Sequence, residues 1–487
     1  MTKRNRLVVG VYAWLGLWTA ASLHAQSAAA SQRLPDSHAP LQKQRSGRFL
    51  SRRGIGSQRA YSHNPAEMLA EARSQHQSML VERDASGGST SLTAAWQPVG
   101  PAQVMTTAYG AVTGRVSSIA VDPSDPTGNT VYVGTTGGGV WKSVNAAGNP
   151  AAVTFTPLTD TLSAYAATSV VSLSIGAVTV QPGGTGVVLA GTGDPNDATD
   201  SYYGAGILRS ADGGLTWSLI TTSSDALIGA KGSFMFTGNG FAGFAWSTTN
   251  PNLVVAAVSQ SLQGAEVNAS LSQSIMGIYY SPDAGQTWYM ATISDSPGNT
   301  VQSNQTVFTA NGNAVTAVVW NPIRQMFYAA VRFHGYYQSS DGIHWTRLTN
   351  QPGTGLAMIY CPTNAGSTGS PACPIFRGAL AVQPVTGDLF ALTTDINNQD
   401  QGLWQDVCAL NSGACSSSAV TFANQIADVP LQAGMGDTTI PQADYDLYLA
   451  AVPSQQDTLL FAGTEDIYKC SLANNCAWRN TTNAAGC

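Results

Sequence analysis

An eight-residue segment recurs in this chain and constrains its fold more than any other feature. Residues 210–217 read SADGGLTW and residues 281–288 read SPDAGQTW, with Ser, Asp, Gly, Thr and Trp at the same offsets. Each copy follows a short apolar run, GILR or GIYY. In each copy the Asp side chain can accept hydrogen bonds from the backbone N–H groups just ahead, and the Gly can adopt a positive φ. The pattern predicts a β-hairpin whose return strand begins at Thr-Trp.

Further copies extend the repeat along the chain. A shortened copy, SSDGIHW, spans residues 339–345, and a degenerate copy runs over residues 143–155. Two more units keep a closing aromatic residue, Phe422 or Trp478, but lack the Asp. A close cysteine pair takes the place of the Asp in both units, so we expect a disulfide to close each hairpin. The residues assigned to the Asp turns are Ser210, Asp212, Gly214, Trp217, Ser281, Asp283, Gly285, Trp288, Ser339, Asp341 and Trp345, and the cysteine pairs are Cys408 with Cys415 and Cys470 with Cys476.

A second pattern precedes every turn: an apolar strand, a corner with Pro or Asn, and a second apolar strand that ends in small residues. One unit reads SSIAVDPSDPTGNTVYVGTT, and five comparable units follow it. Inner runs such as VYVG and LLFAG suit strands that are buried on both faces. Radial repetition of such units leaves only short, protected sheet edges. The sequence therefore predicts an all-β fold, a β-propeller with six visible four-stranded blades (strands a to d) and with the Asp turns on the c–d hairpins.

The motif S-x-D-x-G-x-T-W resembles the Asp box of bacterial-neuraminidase-type repeats. Such repeats occur in sialidases, in two-domain propeller xyloglucanases, in sortilin-type receptor domains and in many secreted bacterial propellers. The segments 134–143, GTTGGGVWKS, and 190–217 are most similar to the last group. The resemblance covers residues 96 to 480 and implies that the Asp boxes lie on the face away from the usual propeller active site.

The number of blades has two readings. Residues 94–101, AAWQPVGP, resemble the outer strand of a blade whose first three strands are not upstream. Either the ring has six blades and Trp96 belongs to an accessory strand, or it has seven blades and most of the seventh lies outside this sequence. The unpaired Cys487 at the last position favours a propeller that is truncated at its C-terminus.

The N-terminus has the pattern of a targeting segment. A basic MTKRNR, an apolar stretch from Leu7 to Leu23 and small residues near Ala25 predict a secretory signal over residues 1–25. An uncleaved membrane anchor is the alternative, because the apolar stretch is of borderline length. After cleavage, no other segment of the sequence could span a membrane.

A basic leader follows over residues 26–95, with nine Lys/Arg against five Asp/Glu. Asn64 as a cap and Pro65 in the first turn predict one helix near residues 65–83, and the flanks are expected to be flexible. We expect the propeller to occupy residues 96–487. A solvated leader, or a segment that docks on the acidic propeller, is favoured over a nucleic-acid contact.

The composition restricts the partners and the compartment. From residue 96 onward the chain has 10 Lys/Arg against 23 Asp/Glu, a net charge of −13, which argues against nucleic acid and anionic membranes as binding partners.

All seven cysteines follow residue 360, and a third disulfide is expected between Cys361 and Cys373. A zinc site at these cysteines is a weaker interpretation, because the cysteine spacings do not match a CxxC site and no His lies near the pairs in sequence. We expect a secreted protein, extracellular, periplasmic or at the cell surface, that is monomeric and needs no cofactor or metal.

The candidate site follows from propeller topology, because the b–c and d–a loops open on one face around the central channel. Asp194, Asp395 and Glu465 could serve as acid or base on a glycoside, although each could equally cap its own turn. Tyr202 and Tyr203 could stack on a sugar or pack in the fold. The candidates for this face are Arg115, Thr136, Asp194, Tyr202, Tyr203, His334, Asp395, Glu465 and Asp466.

The sequence does not contain a recognisable sialidase site. Sialidases need a Tyr nucleophile activated by a Glu, and arginines that clamp the sugar carboxylate; no set of three arginines is evident, and the propeller has only Glu266 and Glu465. Alignment with the xyloglucanase first-blade motif places Thr136 where the catalytic Asp should be. The leading hypothesis is a secreted, non-catalytic propeller that binds a glycan or an extracellular protein. The alternatives are a glycoside hydrolase of the sialidase or propeller-glucanase type with a diverged site, and a rigid spacer within a larger cell-surface protein.

Overall fold

The structure is a computed structural model, and its described residues all belong to one compact unit. The signal region, Trp96, the Cys361–Cys373 pair and Cys487 lie outside the described residues. The described ranges are 70–75, 78–79, 104–106, 110–112, 114–160, 162–165, 170–196, 201–225, 234–261, 275–303, 314–353, 375–408, 415, 420–434 and 436–482.

Six sheets follow one another along the chain, and each contains the four antiparallel strands of one blade in the order a, b, c, d. The all-β propeller predicted from the repeats is therefore confirmed, with six four-stranded blades among the described residues. A short hairpin, β1 (Val104–Thr106) with β2 (Gly110–Val112), precedes them. Blade 1 consists of β3 (Val116–Val121), β4 (Val131–Thr135), β5 (Gly139–Ser143) and β6 (Thr156–Pro157). Blade 2 consists of β7 (Ile175–Val180), β8 (Val188–Thr192), β9 (Ile207–Ser210) and β10 (Ser218–Ile220). Blade 3 consists of β11 (Asn239–Trp246), β12 (Val254–Gln260), β13 (Gly277–Ser281) and β14 (Tyr289–Met290).

Blade 4 is wider than the others because the hairpin of β15 (Thr292–Ser296) and β16 (Asn299–Gln302) adds to its outer strand. Blade 4 consists of β17 (Val315–Asn321), β18 (Met326–Val331), β19 (Gly335–Ser339) and β20 (His344–Arg347). Blade 5 consists of β21 (Arg377–Val382), β22 (Leu389–Thr394), β23 (Asp400–Asp406) and β24 (Asn424–Ile426). Blade 6 consists of β25 (Tyr448–Ser454), β26 (Asp457–Gly463), β27 (Ile467–Ser471) and β28 (Arg479–Asn480).

Helical structure among the described residues is confined to short pieces. Residues 70–75 and 78–79 are helical. One α-helical turn precedes blade 6, and four 3₁₀ turns lie in connections. Their bounds are Ala443–Asp446 for the α-helical turn and Pro150–Ala152, Ser163–Tyr165, Val429–Leu431 and Leu472–Asn474 for the 3₁₀ turns.

Apolar side chains between consecutive blades form the core. Five clusters of buried residues join blade 1 to blade 2, and so on to blade 6, because each inner sheet is covered on both faces. Every residue of β18 and of β22 is buried, as expected for strands in that position. The Trp that closes each Asp turn lies in the cluster shared with the preceding blade, so it packs between two neighbouring sheets: Trp217, Trp288 and Trp345.

The outer faces of the first and last blades differ from the five joined interfaces. Ile119 and Val121 of blade 1 are exposed, whereas Val178 and Val180, at the equivalent positions of blade 2, are buried against blade 1. Tyr448 and Val452 of blade 6 are exposed as well. Among the described residues, none of the buried clusters joins blade 6 to blade 1.

The Asp turns have the hydrogen bonds expected from their sequence. Asp212 Oδ1 accepts the Thr216 N–H at 2.9 Å and the Leu215 N–H at 3.0 Å, and Asp212 Oδ2 accepts the Thr216 hydroxyl at 2.5 Å. The Trp217 indole donates to the carbonyl of Gly214 at 3.0 Å. Gly214 has a φ of +94°, a conformation that a Cβ would disfavour. The second and third turns repeat this arrangement around Asp283 and Asp341.

The two cysteine pairs replace the Asp turns, and both predicted disulfides are confirmed. Cys408 and Cys415 are joined with a Cα–Cα distance of 4.9 Å, and Cys470 and Cys476 with one of 4.7 Å. Each bond closes the c–d connection of its blade. Structural disulfides of this kind fit an extracellular protein.

Candidate functional site

The candidate site lies where the b–c turns and the d–a connections converge around the channel, here called the mouth. Strand c runs from the b–c turn to the c–d turn, so the mouth and the Asp turns lie at opposite ends of every blade. Asp194 and Arg332 follow strand b of blades 2 and 4, and Arg377 begins strand a of blade 5. The helical turn Ala443–Asp446 enters the mouth from the connection between blades 5 and 6.

Arg115, placed just before β3, is the centre of the first group at the mouth. Its Nη1 lies 3.4 Å from Asp194 Oδ2 and also hydrogen-bonds the hydroxyl of Tyr445, while its Nη2 lies 3.2 Å from Asp446 Oδ1. Its Cζ is 4.2 Å from the centroid of the Tyr445 ring, a cation–π distance. These contacts bring together blades 1 and 2 and the connection that leads to blade 6.

Exposure divides these groups into a buried and an accessible part. The Asp194 side chain is 1 % exposed, whereas those of Arg115 and Asp446 are 33 % and 31 % exposed. Burial would lower the pKa of Arg115, but Asp194, Tyr445 and Asp446 outweigh it and raise that pKa. Burial raises the pKa of Asp446, and the nearby Arg115 and Arg377 only partly oppose that shift. Arg115, Tyr445 and Asp446 are thus the groups of this cluster that a ligand can reach.

A second group of arginines was not recognised from the sequence. Arg332 Nε donates to the carbonyl of Phe376 at 3.3 Å, and its Cζ lies 4.2 Å from the centroid of the Phe376 ring. Arg377 donates from Nη1 to the carbonyl of Asp444 at 2.9 Å and from Nη2 to Asn196 Oδ1 at 3.3 Å. Burial lowers the pKa of Arg377. The charges of Asp446, Asp444 and Asp194 oppose this shift, whereas the positive charge of Arg332 acts in the same direction as burial. The mouth therefore contains three arginines, a set that was not recognisable in the sequence.

Register was the signal that could have found these two arginines. Arg332 lies in the b–c turn of blade 4, one position before the register that Asp194 occupies in blade 2 and Asp395 occupies in blade 5. Arg377 opens strand a of blade 5, and Arg115 directly precedes strand a of blade 1. Aligning all six blades by strand would have placed both at the mouth.

Several predicted candidates have local roles. Asp395 Oδ1 accepts the N–H groups of Asn397 and Gln399, both at 2.8 Å, so it caps its own turn. Asp466 Oδ2 accepts the Asn480 side chain at 2.8 Å, within blade 6. Glu465 is exposed in the same b–c turn. Thr136 is half-buried, and its backbone N–H donates to the carbonyl of Arg115 at 3.1 Å.

The two tyrosines that follow Asp194 differ in access. Tyr203 is buried and its carbonyl accepts the Ser172 hydroxyl at 2.7 Å, so its side chain packs within the fold. Tyr202 is half-buried and its carbonyl accepts the Asp194 N–H at 2.9 Å. Of the pair, Tyr202 is the one whose side chain is partly open to solvent.

His334 lies inside blade 4, where it is 1 % exposed. Its carbonyl accepts Arg347 Nε at 2.7 Å, and burial together with the charge of Arg347 lowers the pKa of His334 to about 3. The neighbouring Tyr337 hydroxyl donates to Asp295, whose pKa burial raises. We find this cluster to be an internal polar group of the blade and not a part of the accessible mouth.

Within the described ranges, no helix combines the length and the apolar character that crossing a bilayer requires. The same residues contain no group of three or more His, Cys, Asp or Glu side chains placed to hold a metal ion.

Comparisons with known proteins give structural likenesses only. No protein-family model matches the chain, and no curated protein does. The GH74 xyloglucanase from Xanthomonas campestris is similar at 17 % identity and a TM-score of 0.44 over 77 % of this chain, which spans only 46 % of that enzyme. YCF48 from Cyanidioschyzon merolae is similar at 14 % identity and a TM-score of 0.39, over 78 % of this chain and 87 % of that one. A structure of YCF48 bound to D1 peptide is similar at 12 % identity and a TM-score of 0.32, over 72 % and 76 % of the two chains.

Proposed function

We propose that the protein is a secreted, non-catalytic binding module that takes a carboxylate-bearing ligand, on a glycan or an extracellular protein, at the mouth of the propeller. The proposal rests mainly on Arg377. This residue is buried, with 9 % of its surface exposed. Its two hydrogen bonds go to neutral acceptors, the Asp444 carbonyl and the Asn196 side chain, and its Nε has no partner among the described residues.

A buried charge of this kind favours an anionic partner. Buried charges are normally paired, because burial without a counter-charge costs several kcal/mol. Asp446, Asp444 and Asp194 lie near enough to Arg377 to raise its pKa. Among the described residues, however, the ion pairs of Asp194 and Asp446 are with Arg115, so Arg377 is only partly compensated. A guanidinium can hold a carboxylate through two parallel hydrogen bonds, a strong and directional contact. Arg332 beside it would add to the attraction.

The accessible side chains around the arginines suit recognition of a larger ligand. Tyr445 and Tyr202 are half-buried, so each combines an apolar ring with some solvent access. Arg115 offers a second cation at the rim. We expect the arginines to hold the carboxylate and the tyrosines to contact the adjoining apolar surface.

The geometry favours binding over hydrolysis. Glycoside hydrolysis needs two carboxyl groups that flank the scissile bond. Asp194 is buried and already paired with Arg115, and Asp395 caps its own turn. Neither side chain is available as the second acid or base.

The experiment compares carboxylate-bearing and neutral probes by calorimetry on the full chain. One arm uses an oligogalacturonide against a neutral dextrin, and the other uses a peptide with a free C-terminal carboxylate against its amidated form. We expect one carboxylate probe to bind, and Arg377→Gln to weaken it at least tenfold, whereas Arg479→Gln, an exposed arginine of blade 6, leaves binding unchanged. Equal binding of the carboxylate and neutral forms would refute the proposal. Arg115→Gln, at a half-exposed position, serves if Arg377→Gln does not fold.

One observation supports the alternative of a glycoside hydrolase. Asp446 is part-exposed and burial raises its pKa, as a general acid requires. Release of a reducing sugar from sialosides or β-glucans, abolished by Asp446→Asn but not by Asp437→Asn, would establish this alternative and overturn a purely binding role.

A further inference from the structure

The connection between blades 5 and 6 comprises residues 428–446, of which residue 435 is not described. Hydrogen bonds hold this connection against β23 of blade 5 and the residues just before that strand. We name this connection the strap. Its first residue, Asp428, is buried, and Asp428 Oδ2 accepts the Leu403 N–H of β23 at 2.7 Å. Asp400, the first residue of β23, accepts the Gln432 side chain of the strap at 2.8 Å and the Gly402 N–H at 2.7 Å.

The strap continues from these two acids to the mouth through a series of contacts. The Asp400 N–H donates to the carbonyl of Thr438 at 2.8 Å, and the Ile440 N–H donates to the carbonyl of Asn398 at 2.9 Å. Asn398 and Asp444 then exchange two hydrogen bonds, at 2.9 and 2.8 Å. The next two residues of the strap, Tyr445 and Asp446, both contact Arg115. The start of the strap is thus linked step by step to the rim of the site.

We propose that Asp400 and Asp428 form a proton-sharing latch that holds the strap in place at acidic pH and loosens it as the pH rises. The Asp400 carboxylate accepts the Gly402 N–H, and the Asp428 carboxylate accepts the N–H of the next residue, Leu403, so the two carboxyl groups lie beside each other at the start of β23. A proton shared between two such carboxyl groups removes the repulsion between their charges. When that proton is lost, two negative charges face each other at a buried position and repel.

The titration range of the latch follows from its surroundings. Burial, with the charge of Asp400 as the next cause, raises the pKa of Asp428 to about 7, from its ordinary value of 3.8. Among the described residues, Asp400 is the titratable group that acts on Asp428. The hydrogen bonds of Asp428 are otherwise with backbone N–H groups: its side chain accepts that of Leu403, and its carbonyl accepts that of Leu431. None of these other groups titrates.

The sign follows from proton linkage. Between pH 3.8 and about 7 the latched strap binds a proton that the released strap does not, so each increase in pH favours release. One linked proton changes the opening equilibrium about tenfold per pH unit. Above pH 7 both forms are deprotonated and the dependence ends. Any effect on ligand binding rests on the proposed function, whereas release of the strap does not.

Hydrogen exchange by mass spectrometry on the unliganded full chain tests the latch. After correction for intrinsic exchange, we expect protection of the strap amides to fall about tenfold per pH unit from pH 5 to 7 and to level off above pH 7. Asp428→Asn is neutral at every pH and can still donate to Asp400, so its strap should show no such dependence. Asp437→Asn, at an exposed strap residue, is the matched control and should follow the wild type.

The amides of β22 provide an internal reference for global unfolding. Protection of the strap that is independent of pH in the wild type, or a slope retained in Asp428→Asn, would overturn the proposal. If Asp428→Asn exposes the β22 amides, Asp400→Asn replaces it, and a slope unchanged in that variant would also overturn the proposal. Because no ligand is used, failure of the latch and failure of the proposed binding are separate results.

Discussion

Arg377 of blade 5 donates a hydrogen bond to the side chain of Asn196 of blade 2, which lies 181 positions earlier in the chain, across a distance of 3.3 Å. The two blades share no sheet and no buried apolar cluster among the described residues. A polar contact at the mouth therefore connects opposite sides of the ring.

Removing one partner of this contact should destabilise the ring. Asn196→Ala leaves a buried N–H of Arg377 without its acceptor, which costs about 1–3 kcal/mol. We expect the free energy of unfolding in denaturant to fall by that amount. In a double-mutant cycle with Arg377→Met, the second substitution should cost less once the first is present; strict additivity would show that the contact contributes nothing.

The Asp turns should contribute to stability and not to binding. Asp283 accepts the Thr287 N–H at 2.8 Å and its hydroxyl at 2.6 Å, so Asp283→Ala should cost about 1 kcal/mol, as for a lost helix cap. Leu215→Ala, at the equivalent position of the first turn, is the control, because that side chain is 83 % exposed. Thermal denaturation measures the loss, and probe binding at the mouth should be unchanged.

The same turn predicts a loss of stability in acid. Burial would raise the pKa of Asp283, but its hydrogen bonds outweigh that effect and lower the pKa. A lowered pKa in the folded state means that the stabilisation is present above the unfolded value of 3.8 and is lost as the pH falls below it. Asp283→Asn should therefore lose less stability than the wild type on acidification; an identical acid profile would contradict this account.

A matched pair of valines tests whether the outer face of blade 1 is open in solution. Val121 is 55 % exposed, whereas Val180, the equivalent residue of blade 2, is 7 % exposed. We expect Val121→Ser to change the free energy of unfolding by less than about 0.5 kcal/mol and Val180→Ser to cost about 2 kcal/mol. Similar costs at the two positions would mean that blade 1 is covered as the other blades are.

His334 should remain neutral at pH values where an ordinary histidine is charged. Its pKa of about 3 lies below the usual 6.5, because burial and Arg347 both oppose protonation. The folded state therefore loses stability as the pH falls from 6.5 toward 3, since the unfolded chain takes up the proton first. In NMR titrations one of the six histidines should not titrate above pH 5, and its signal should vanish in His334→Gln but not in His344→Gln. A normal titration of that residue would contradict its burial.

The repeats alone determined the fold class, the strand order within each blade, the turns around Asp212, Asp283 and Asp341, and the two confirmed disulfides. These features depend on residues close together in sequence. An Asp turn needs its Asp, Gly and Trp at fixed offsets, and a disulfide across a c–d connection needs two cysteines on either side of that connection. Local backbone geometry and hydrogen bonding are enough to specify them.

The composition of the mouth was decided by the tertiary structure. The residues of the mouth come from five separate parts of the chain, and each lies at a strand end or within two residues of one: Arg115, Asp194, Arg332, Arg377 and Asp446. A single sequence does not show which of them face one another, how deeply each is buried, or that Asp395 is engaged in its own turn while Asp194 is paired with an arginine. Those properties arise only when the blades close around a common axis, because burial and charge pairing depend on distances between residues remote in sequence.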